Sequence, residues 1–485
     1  MLRNPPKYAT IESVPAKRFL GITVLPEYIQ SEGIDGVLDN LVHKAGANAV
    51  ATSPYLMEEA GPETGQREPP ADAGAGAVRL LERPLFGKRE VWVRTAPSFV
   101  PDRKLYEGLR YQPSKPTGLT RREGRVLHDF IRAAHARRLK VYFQVQAAIP
   151  PGYRVQFGGP VEDDRPRLPD GRIPPRRLAK NGSLASPHIL AYESALIRDL
   201  VKNYPDLDGL RFDWPEYPPY FLDSVFLDFS DHAAAAAHRL GFDFGRMRAD
   251  VGALYAKLHG GLSDADLKPW TGADRGRYRL LRLLSDHPGV GDFLRFKATL
   301  VEGMLAGFRK TMNEAGAERM EMMPNAFPPP WSIPSGMDFR RVAKHSTAIS
   351  VKLYTMHWPM MLRFYGDQIR EANPNLSSAA LVRALVSWLD IADDEGLPRL
   401  DDYSYPPPDV PHPVGEKAQA RKIAQAQRDA GSTPVYALAH GYGPLADFRK
   451  RLEVAHRASA HGMWVNRYAY LSDEKLRAIG EVTRL

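Results

Sequence analysis

The feature that most constrains the fold is a strand-and-helix rhythm that repeats eight times along the chain. Short β-rich runs recur, and most follow a segment whose apolar residues are spaced i, i+3, i+4 as in an amphipathic helix. The runs are Phe19–Tyr28, Ala47–Leu56, Lys140–Ile149, Gly209–Trp214, Arg319–Phe327, Ala348–Trp358, Pro434–Tyr442 and Gly462–Tyr470. Strands that alternate with helices predict a parallel sheet, and eight such strands close a (β/α)₈ barrel.

The alternative α/β architecture is an open, doubly wound sheet. That sheet would place a Gly-rich phosphate-binding loop directly after the first strand. The chain reads "LPEYIQSEG" at this point, which lacks such a loop and favours the barrel. We therefore predict one α/β domain, a (β/α)₈ TIM barrel, that spans residues 1–485.

Three connections between the predicted strands are long, and they follow the second, fourth and sixth strands. Proline clusters such as "RPRLPDGRIPPRR" and "YSYPPPDVPHPVG" mark them as loops, because strand-like segments continue on both sides. The loops that follow barrel strands build the active-site face of this fold. We predict long insertions after strands 2, 4 and 6 that form a walled cleft; the alternative is that they only cap the barrel.

Composition narrows the class of partner and the compartment. The formal net charge is +9, but Lys and Arg are scattered among acidic residues, which predicts a solvated surface and no nucleic-acid partner. The absence of cysteine excludes disulfides, thiolate zinc sites and cysteine catalysis, and fits both cytosol and periplasm. We see no signal-peptide h-region and no bilayer-spanning run, so we predict a cytoplasmic protein without membrane contact, periplasmic if a signal peptide was removed. The oligomeric state stays open.

The stretch "DGLRFDW" places charges where a strand leaves the core. Side chains alternate along a strand, so Arg211 and Asp213 share one face while Leu210 and Phe212 share the other. A charge inside a barrel needs a partner, and Arg211 would favour the charged form of Asp213. An ionised carboxylate on a cleft floor is what a glycosidase nucleophile, or a stabiliser of an oxocarbenium ion, requires. The alternative is a structural ion pair inside the barrel.

The other strand exits carry polar and aromatic side chains that the same parity directs to one mouth. Each alone is more typical of a structural residue, but together they suit a sugar, which offers hydroxyls at its edges and C–H faces for stacking. The predicted substrate-binding residues are Arg211, Trp214, Glu27, Gln144, Gln146, Asn325, Lys352, Tyr354, Trp358, His440, Trp464 and Asn466.

Glu216 is the predicted second catalytic carboxyl group, chosen because it lies closest to Asp213 in the chain. Its aromatic and proline neighbours in "WPEYP" could desolvate it and raise its pKa, as a general acid near neutral pH requires. The alternative is that Glu216 faces solvent and another strand supplies the acid. The reserve candidates are Glu27, Glu321 and Asp447.

The motif "DGLRFD" resembles the fourth-strand motif of the α-amylase clan, in which an arginine precedes the catalytic aspartate by two residues. The stretch Asp208–Asp243 is more similar still to bacterial glycosyl-hydrolase-like barrels of unassigned activity. "DWPEYP" also resembles the chitinase signature D-W-E-Y-P, with Pro215 inserted and Arg211 where that signature has an acid. The resemblance implies a carbohydrate-active hydrolase with Asp213 as its catalytic carboxylate.

Two departures separate the chain from the α-amylase clan. The fifth strand, which carries a catalytic Glu in that clan, ends here in "MMPNAF" with Asn325. The seventh strand, which carries N-H-D in that clan, ends here in "ALAHGYG". The acid/base residue is therefore not carried over by position.

The predicted function is glycoside hydrolysis or transglycosylation on a saccharide, without a cofactor or a metal. The chain has no H-E-x-x-H, Walker A or G-x-S-x-G motif. Two alternatives stay open: a metal-dependent sugar isomerase or epimerase, since histidines are scattered along the chain, and a non-catalytic saccharide-binding barrel. The sequence specifies neither the sugar nor the linkage.

Overall fold

The computed structural model describes residues 18–71 and 79–484, and a closed parallel barrel lies at its centre. The strands are β1 (Phe19–Thr23), β2 (Ala49–Thr52), β3 (Tyr55–Glu59), β4 (Gln66–Glu68), β5 (Val91–Pro97), β6 (Lys140–Gln146), β7 (Gly209–Asp213), β8 (Glu321–Ala326), β9 (Ile349–Leu353), β10 (Val435–His440) and β11 (Gly462–Asn466). The barrel order is β1-β2-β6-β7-β8-β9-β10-β11, and β11 pairs with β1. Each barrel strand falls within one predicted run, so the predicted (β/α)₈ fold is confirmed.

Helices surround the barrel and fill the longer connections. The α-helices are α1 (Pro26–Glu32), α2 (Ile34–Asp39), α3 (Gly118–Glu123), α4 (Val126–Ala136), α5 (Pro187–Asn203), α6 (Leu222–Val225), α7 (Asp231–Leu240), α8 (Phe244–Leu258), α9 (Asp264–Thr271), α10 (Arg277–Asp286), α11 (Pro288–Glu314), α12 (Ser332–Ser335), α13 (Phe339–Val342), α14 (His357–Ala372), α15 (Ser378–Leu389), α16 (Glu416–Ala430), α17 (Leu445–Ala458) and α18 (Asp473–Val482). A π-helical turn covers Asn40–Lys44, and 3₁₀ turns cover Arg103–Tyr106, Glu162–Asp164, Ala343–His345, Leu400–Asp402 and Tyr468–Tyr470.

The connections after the second, fourth and sixth barrel strands carry structure of their own. The first holds a small antiparallel sheet in the order β3-β5-β4. The connection after β7 holds α6 to α11, and the one after β9 holds α14 to α16. All three leave the carboxyl ends of their strands, which is where a barrel of this kind builds its binding face.

The two faces of each strand pack into different cores, as the parity argument predicts. Leu210 and Phe212 belong to the large core between the strands and the helices, where the Phe212 ring lies 4.7 Å from that of Phe308. A second cluster fills the barrel itself and includes Tyr142, Met323 and Trp464. The inward-facing residues above this cluster therefore point towards the mouth of the barrel.

Gly21 is required by the ring of Trp464 inside the barrel. A Cβ at Gly21 would lie 2.2 Å from Cε3 of that ring. The ring cannot retreat easily, because Phe19 and Tyr142 pack against it at centroid distances of 5.1 and 5.4 Å.

We expect Gly21→Ala to lower the free energy of unfolding by about 1–3 kcal/mol, the usual cost of overpacking a core. Urea unfolding would measure the change. Gly36→Ala, on α2, is the matched control, since a Cβ at Gly36 would have no neighbouring atom within 4 Å. This substitution should be neutral or stabilise the protein by up to about 1 kcal/mol. Equal stabilities for Gly21→Ala and the wild type would contradict the packing described.

In the part of the chain that the structure describes, no helix combines the length and the apolarity that crossing a bilayer requires.

Candidate active site

A cleft opens at the carboxyl ends of the barrel strands, with a cavity volume of about 150 Å³. Half of the predicted site residues line it. They are Gln144, Gln146, Asp213, Trp214, Tyr354, His440 and Asn466. They come from five strands or strand exits, so parallel alignment brings together groups that are far apart in sequence.

Asp213 holds one carboxylate oxygen in place and leaves the other towards the cleft. Oδ1 lies 2.7 Å from Lys352 Nζ, 3.2 Å from the Trp214 amide nitrogen and 3.4 Å from Asn325 Nδ2. No donor among the described residues contacts Oδ2. A carboxylate fixed through one oxygen, with the second oxygen free, is positioned to act on a bound molecule.

Lys352, rather than Arg211, is the direct ionic partner of Asp213. The sequence analysis assigned Lys352 to substrate binding, but its side chain is only 1% exposed and does not line the cleft. The contact with Asp213 is ionic in distance, although its angle is not that of a well-aligned hydrogen bond. The parity argument could not find this pair, because it lies across β7 and β9, which are not adjacent in the barrel.

Arg211 lies one layer deeper, inside the barrel. Its guanidinium stacks on Trp464 at 3.8 Å from the ring centroid and donates to Asn325 Oδ1 at 2.9 Å. Burial lowers its pKa to about 10, which still leaves it charged at neutral pH. Asn325 in turn donates to Gln144 and Asp213, so Arg211 is connected to the cleft floor through Asn325 and does not line the cleft itself.

Trp214 departs from the strand alternation that directs it towards the helices. Its φ is +51°, in the left-handed region that bulky residues rarely adopt. This conformation ends the strand at Asp213 and turns the ring onto the cleft lining. Backbone strain of this kind concentrates at functional sites, where the surrounding structure enforces it.

Trp358 and Trp464, predicted as stacking platforms, do not reach the cleft. The strand that was predicted to carry Trp358 ends at Leu353, and the residue lies in the first turn of α14 against Trp331. Trp464 lies too deep, because it fills the barrel interior beneath Arg211. Both are therefore core residues.

Glu216 neither faces solvent nor lines the cleft, so the expectation that it faces the cleft is not met. Its side chain is fully buried. The carboxylate accepts hydrogen bonds from the Phe327 amide at 2.8 Å and from the hydroxyl of Ser335. It therefore holds the loop that follows β8, at the back of the site.

Burial nevertheless raises the pKa of Glu216 to about 7, as the sequence analysis expected, against the opposing charge of Lys352. The folded protein then binds a proton that the unfolded chain has released, so this group makes stability fall as pH rises from about 4.5 to 7. The integrated effect is on the order of 3 kcal/mol.

We expect Glu216→Gln to remove this pH dependence, because an amide mimics the protonated acid and keeps an oxygen for the Phe327 amide. Urea unfolding at pH 5 and pH 8 would show a smaller loss for the variant than for the wild type. Parallel losses in the two proteins would show that Glu216 is ionised in the folded state throughout this range.

The reserve carboxylates also lie off the cleft lining. Glu321 begins β8 and pairs with Lys140 at the opposite end of the barrel. Asp447 lies on α17 and pairs with Arg451 at 2.7 Å. Glu27 is buried in the first turn of α1, since β1 ends at Thr23, five residues before the end of the predicted run. Among the described residues, Asp213 is thus the only carboxylate on the cleft lining.

Residues from the loops complete the lining, and the strand-exit argument missed them. They are Arg79, Tyr153, Arg154, Tyr220, His357, Arg467 and Tyr470, together with smaller and apolar groups. His357 and Arg467 lie inside predicted runs, but their parity is opposite to that of Trp358 and Asn466, so strand alternation directed them away from the mouth. The others lie in irregular segments that strand parity does not describe.

Arg154 and Arg467 form a buried ionic cluster with Glu27 and Glu68 in the cleft wall. Arg154 Nη1 lies 2.9 Å from Glu27 Oε1, and Arg467 Nη2 lies 3.5 Å from the same oxygen. Glu68 accepts from both arginines. Burial disfavours the charged form of Glu68, but the two guanidiniums outweigh burial and hold its pKa below the usual range.

Two imidazoles stand on the lining in neutral form. Burial, with the nearby charges of Arg79 and Lys352, lowers the pKa of His357 to about 3. Burial also lowers the pKa of His440 well below the usual range. The Tyr442 amide donates to Nδ1 of His440, which assigns the proton of that ring to Nε2.

One three-residue group in the described part of the chain has the spacing of a metal site: Asp164, His188 and His232. It does not line the cleft. Asp164 already accepts from Tyr111, Arg110 and Ser186 and contacts His232 at 2.9 Å. The structure gives this group no connection to Asp213.

No protein-family model and no curated protein matches the chain. The resemblance to the α-amylase clan therefore stays a prediction.

Solved structures with a similar fold include three enzymes. The β-galactosidase from the psychrophilic Marinomonas ef1 has a TM-score of 0.48 and 11% identity, and the match covers 96% of this chain and 58% of that one. The catalytic domain of β-amylase from Paenibacillus polymyxa has a TM-score of 0.46 and 10% identity, and the match covers 95% of each chain. A chitinase from Chromobacterium violaceum ATCC 12472 has a TM-score of 0.38 and 8% identity, and the match covers 96% of this chain and 98% of that one. The chain spans little more than half the length of that β-galactosidase. At these values the similarity assigns no activity.

Proposed function

We propose that this protein is a glycoside hydrolase or transglycosylase, with Asp213 as its catalytic carboxylate. One observation carries the proposal: Asp213 lines an open cleft and is fixed through Oδ1, while Oδ2 has no hydrogen-bond donor among the described residues. The lining around it combines hydrogen-bonding groups such as Gln146 and Asn466 with the rings of Trp214 and Tyr354. This mixture suits the hydroxyl edges and C–H faces of a saccharide.

The role of Asp213 is that of a nucleophile or of a stabiliser of the oxocarbenium-like transition state. Lys352 and Asn325 orient the carboxylate, and Arg211 orients Asn325 from below. Trp214 packs beside it, with Lys352 Nζ 5.3 Å from the centre of its ring. The proton for the leaving group does not come from Glu216 in this arrangement, since both of its oxygens accept hydrogen bonds behind the cleft.

A screen of oligosaccharides and aryl glycosides, scored by release of reducing sugar or aglycone, tests the proposal. Because no second carboxylate lies on the described lining, we expect activated aryl glycosides, whose leaving groups need little protonation, to react faster than alkyl glycosides. Turnover of at least one glycoside by the wild type is the supporting result. The absence of turnover on every glycoside, with saccharide binding retained, would refute it.

The second candidate is a non-catalytic saccharide-binding barrel. The observation that favours it is the single carboxylate on the described lining, where a glycosidase usually has two. In that case Asp213→Asn would bind saccharides as the wild type does, and neither protein would turn any over.

A further inference from the structure

The cleft wall holds one guanidinium, that of Arg79, which forms no direct ion pair with a carboxylate among the described residues. Arg79, Arg154 and Arg467 all line the cleft and are 6%, 7% and 9% exposed. Glu27 and Glu68 pair with Arg154 and Arg467. Arg79 has no carboxylate within 4 Å among the described residues; it donates to the carbonyl of Pro70 and lies 5.9 Å from the ring centre of Tyr405.

The cleft floor has the same excess of positive charge. Lys352 and Arg211 are both buried there, and the adjacent carboxylate on the lining is Asp213. Burial also favours the neutral form of Glu216, behind the floor, because it raises the pKa of this carboxyl group to about 7. Among the described residues, the buried cations around the cleft thus outnumber the carboxylates, and an unpaired buried charge is costly. A bound anion would complete this charge balance.

Several donors on the lining residues also have no hydrogen-bond partner in the part of the chain that the structure describes. They include Nε of Arg79, Nε of Arg467 and the hydroxyl of Tyr470, all buried and on lining residues. Buried donors without partners are rare in folded proteins and call for an acceptor. A carboxylate or a sulfate offers several acceptor oxygens and a negative charge in one group.

We propose that the cleft takes an acidic saccharide, and that Arg79, with Arg467 and Tyr470, binds the carboxylate or sulfate group that this saccharide carries. The inference rests on the proposed function, because it names the substrate class of the same cleft. It adds that the anionic group lies on the arginine wall, which is the part of the lining formed by Arg79, Arg154 and Arg467, while the sugar ring extends towards Asp213.

A glycan array probed with the full-length Asp213→Asn protein tests the proposal, because that variant holds a substrate without consuming it. The array carries uronate-containing, sulfated and neutral oligosaccharides. We expect the bound glycans to be acidic, and the carboxylated and sulfated members distinguish the two sources of the anion. Adding Arg79→Gln should weaken binding by about 10- to 100-fold, the usual effect of losing a charge-assisted hydrogen bond.

Three further variants, each combined with Asp213→Asn, complete the experiment: one conservative replacement, one second test and one control outside the cleft. Arg79→Lys keeps the charge and should recover part of the binding. Tyr470→Phe removes one unpartnered hydroxyl without a charge change, and should weaken binding severalfold even if Arg79→Gln fails to fold. Arg94→Gln removes an exposed arginine that pairs with Glu58 outside the cleft, and should change nothing.

Binding confined to neutral glycans, or acidic-glycan binding that neither Arg79→Gln nor Tyr470→Phe weakens, would overturn the proposal. So would an array on which no acidic glycan binds. The proposed activity fails separately: a wild type that binds acidic glycans through Arg79 but hydrolyses none keeps this inference and loses the hydrolase assignment. A wild type that hydrolyses only neutral glycosides keeps the hydrolase assignment and loses the inference that the substrate is acidic.

Discussion

Replacing Asp213 with asparagine is expected to reduce turnover on the order of 10⁴-fold on any glycoside that the wild type cleaves, as removal of a catalytic carboxylate does elsewhere. The amide keeps the shape and an acceptor oxygen for the Trp214 amide, but loses the negative charge that meets the anomeric centre. Binding should change little. Steady-state kinetics, with a binding measurement on the same glycoside, would show a loss in kcat and not in affinity.

Asp208→Asn is the matched control for this prediction. Asp208 lies directly before β7, at the opposite end of that strand, and its carboxylate accepts from the Val141 amide at 2.7 Å. The same chemical change there leaves the cleft untouched and should preserve turnover. Equal losses in the two variants would mean that Asp213 acts through the fold and not through the chemistry.

Glu68→Gln is expected to lower the free energy of unfolding by about 3–5 kcal/mol, the usual effect of breaking a buried ion pair from one side. Glu68 is fully buried and pairs with both Arg154 and Arg467. Its removal would leave Glu27 as the only carboxylate, among the described residues, that pairs with these two buried guanidiniums. Urea unfolding at pH 7 would measure the difference.

The pH dependence of this difference follows from the depressed pKa of Glu68. A carboxylate whose pKa is lower in the folded state contributes stability that is present above its unfolded pKa, near 4.5, and lost as the pH falls through its folded pKa. The gap between wild type and Glu68→Gln should therefore be largest at neutral pH and shrink below pH 4.5. Glu90→Gln is the control: Glu90 is 42% exposed and its pair with Arg67 is worth about 0–1 kcal/mol. A Glu68→Gln protein as stable as this control would contradict the ionic cluster.

The sequence predicts the barrel well because its information is periodic. Short β-rich runs between amphipathic helical segments located all eight barrel strands. Strand parity placed Arg211 and Asp213 on the inner face and Leu210 and Phe212 on the outer one. These properties depend on local backbone geometry, which short segments specify on their own.

The site was predicted only in part, because strand parity gives the direction of a side chain but neither its depth nor the end of its strand. Trp464 points inward but lies below the mouth. Trp358 and Glu27 fall in helices that begin where the predicted strands were extended too far. The arginine wall, with Arg79 and Arg154, comes from irregular loops whose course depends on tertiary packing, so no periodic pattern indicates it.

Chemical rescue of Asp213→Ala tests the central claim most directly. Small anions such as azide or formate fit the space that a deleted carboxylate leaves and can take over its reaction. With an aryl glycoside that the wild type cleaves, we predict that Asp213→Ala is inactive alone, and that its turnover rises with azide or formate concentration while that of the wild type does not. An Asp213→Ala protein that cleaves the same glycoside as fast as the wild type, without any added anion, would contradict the account.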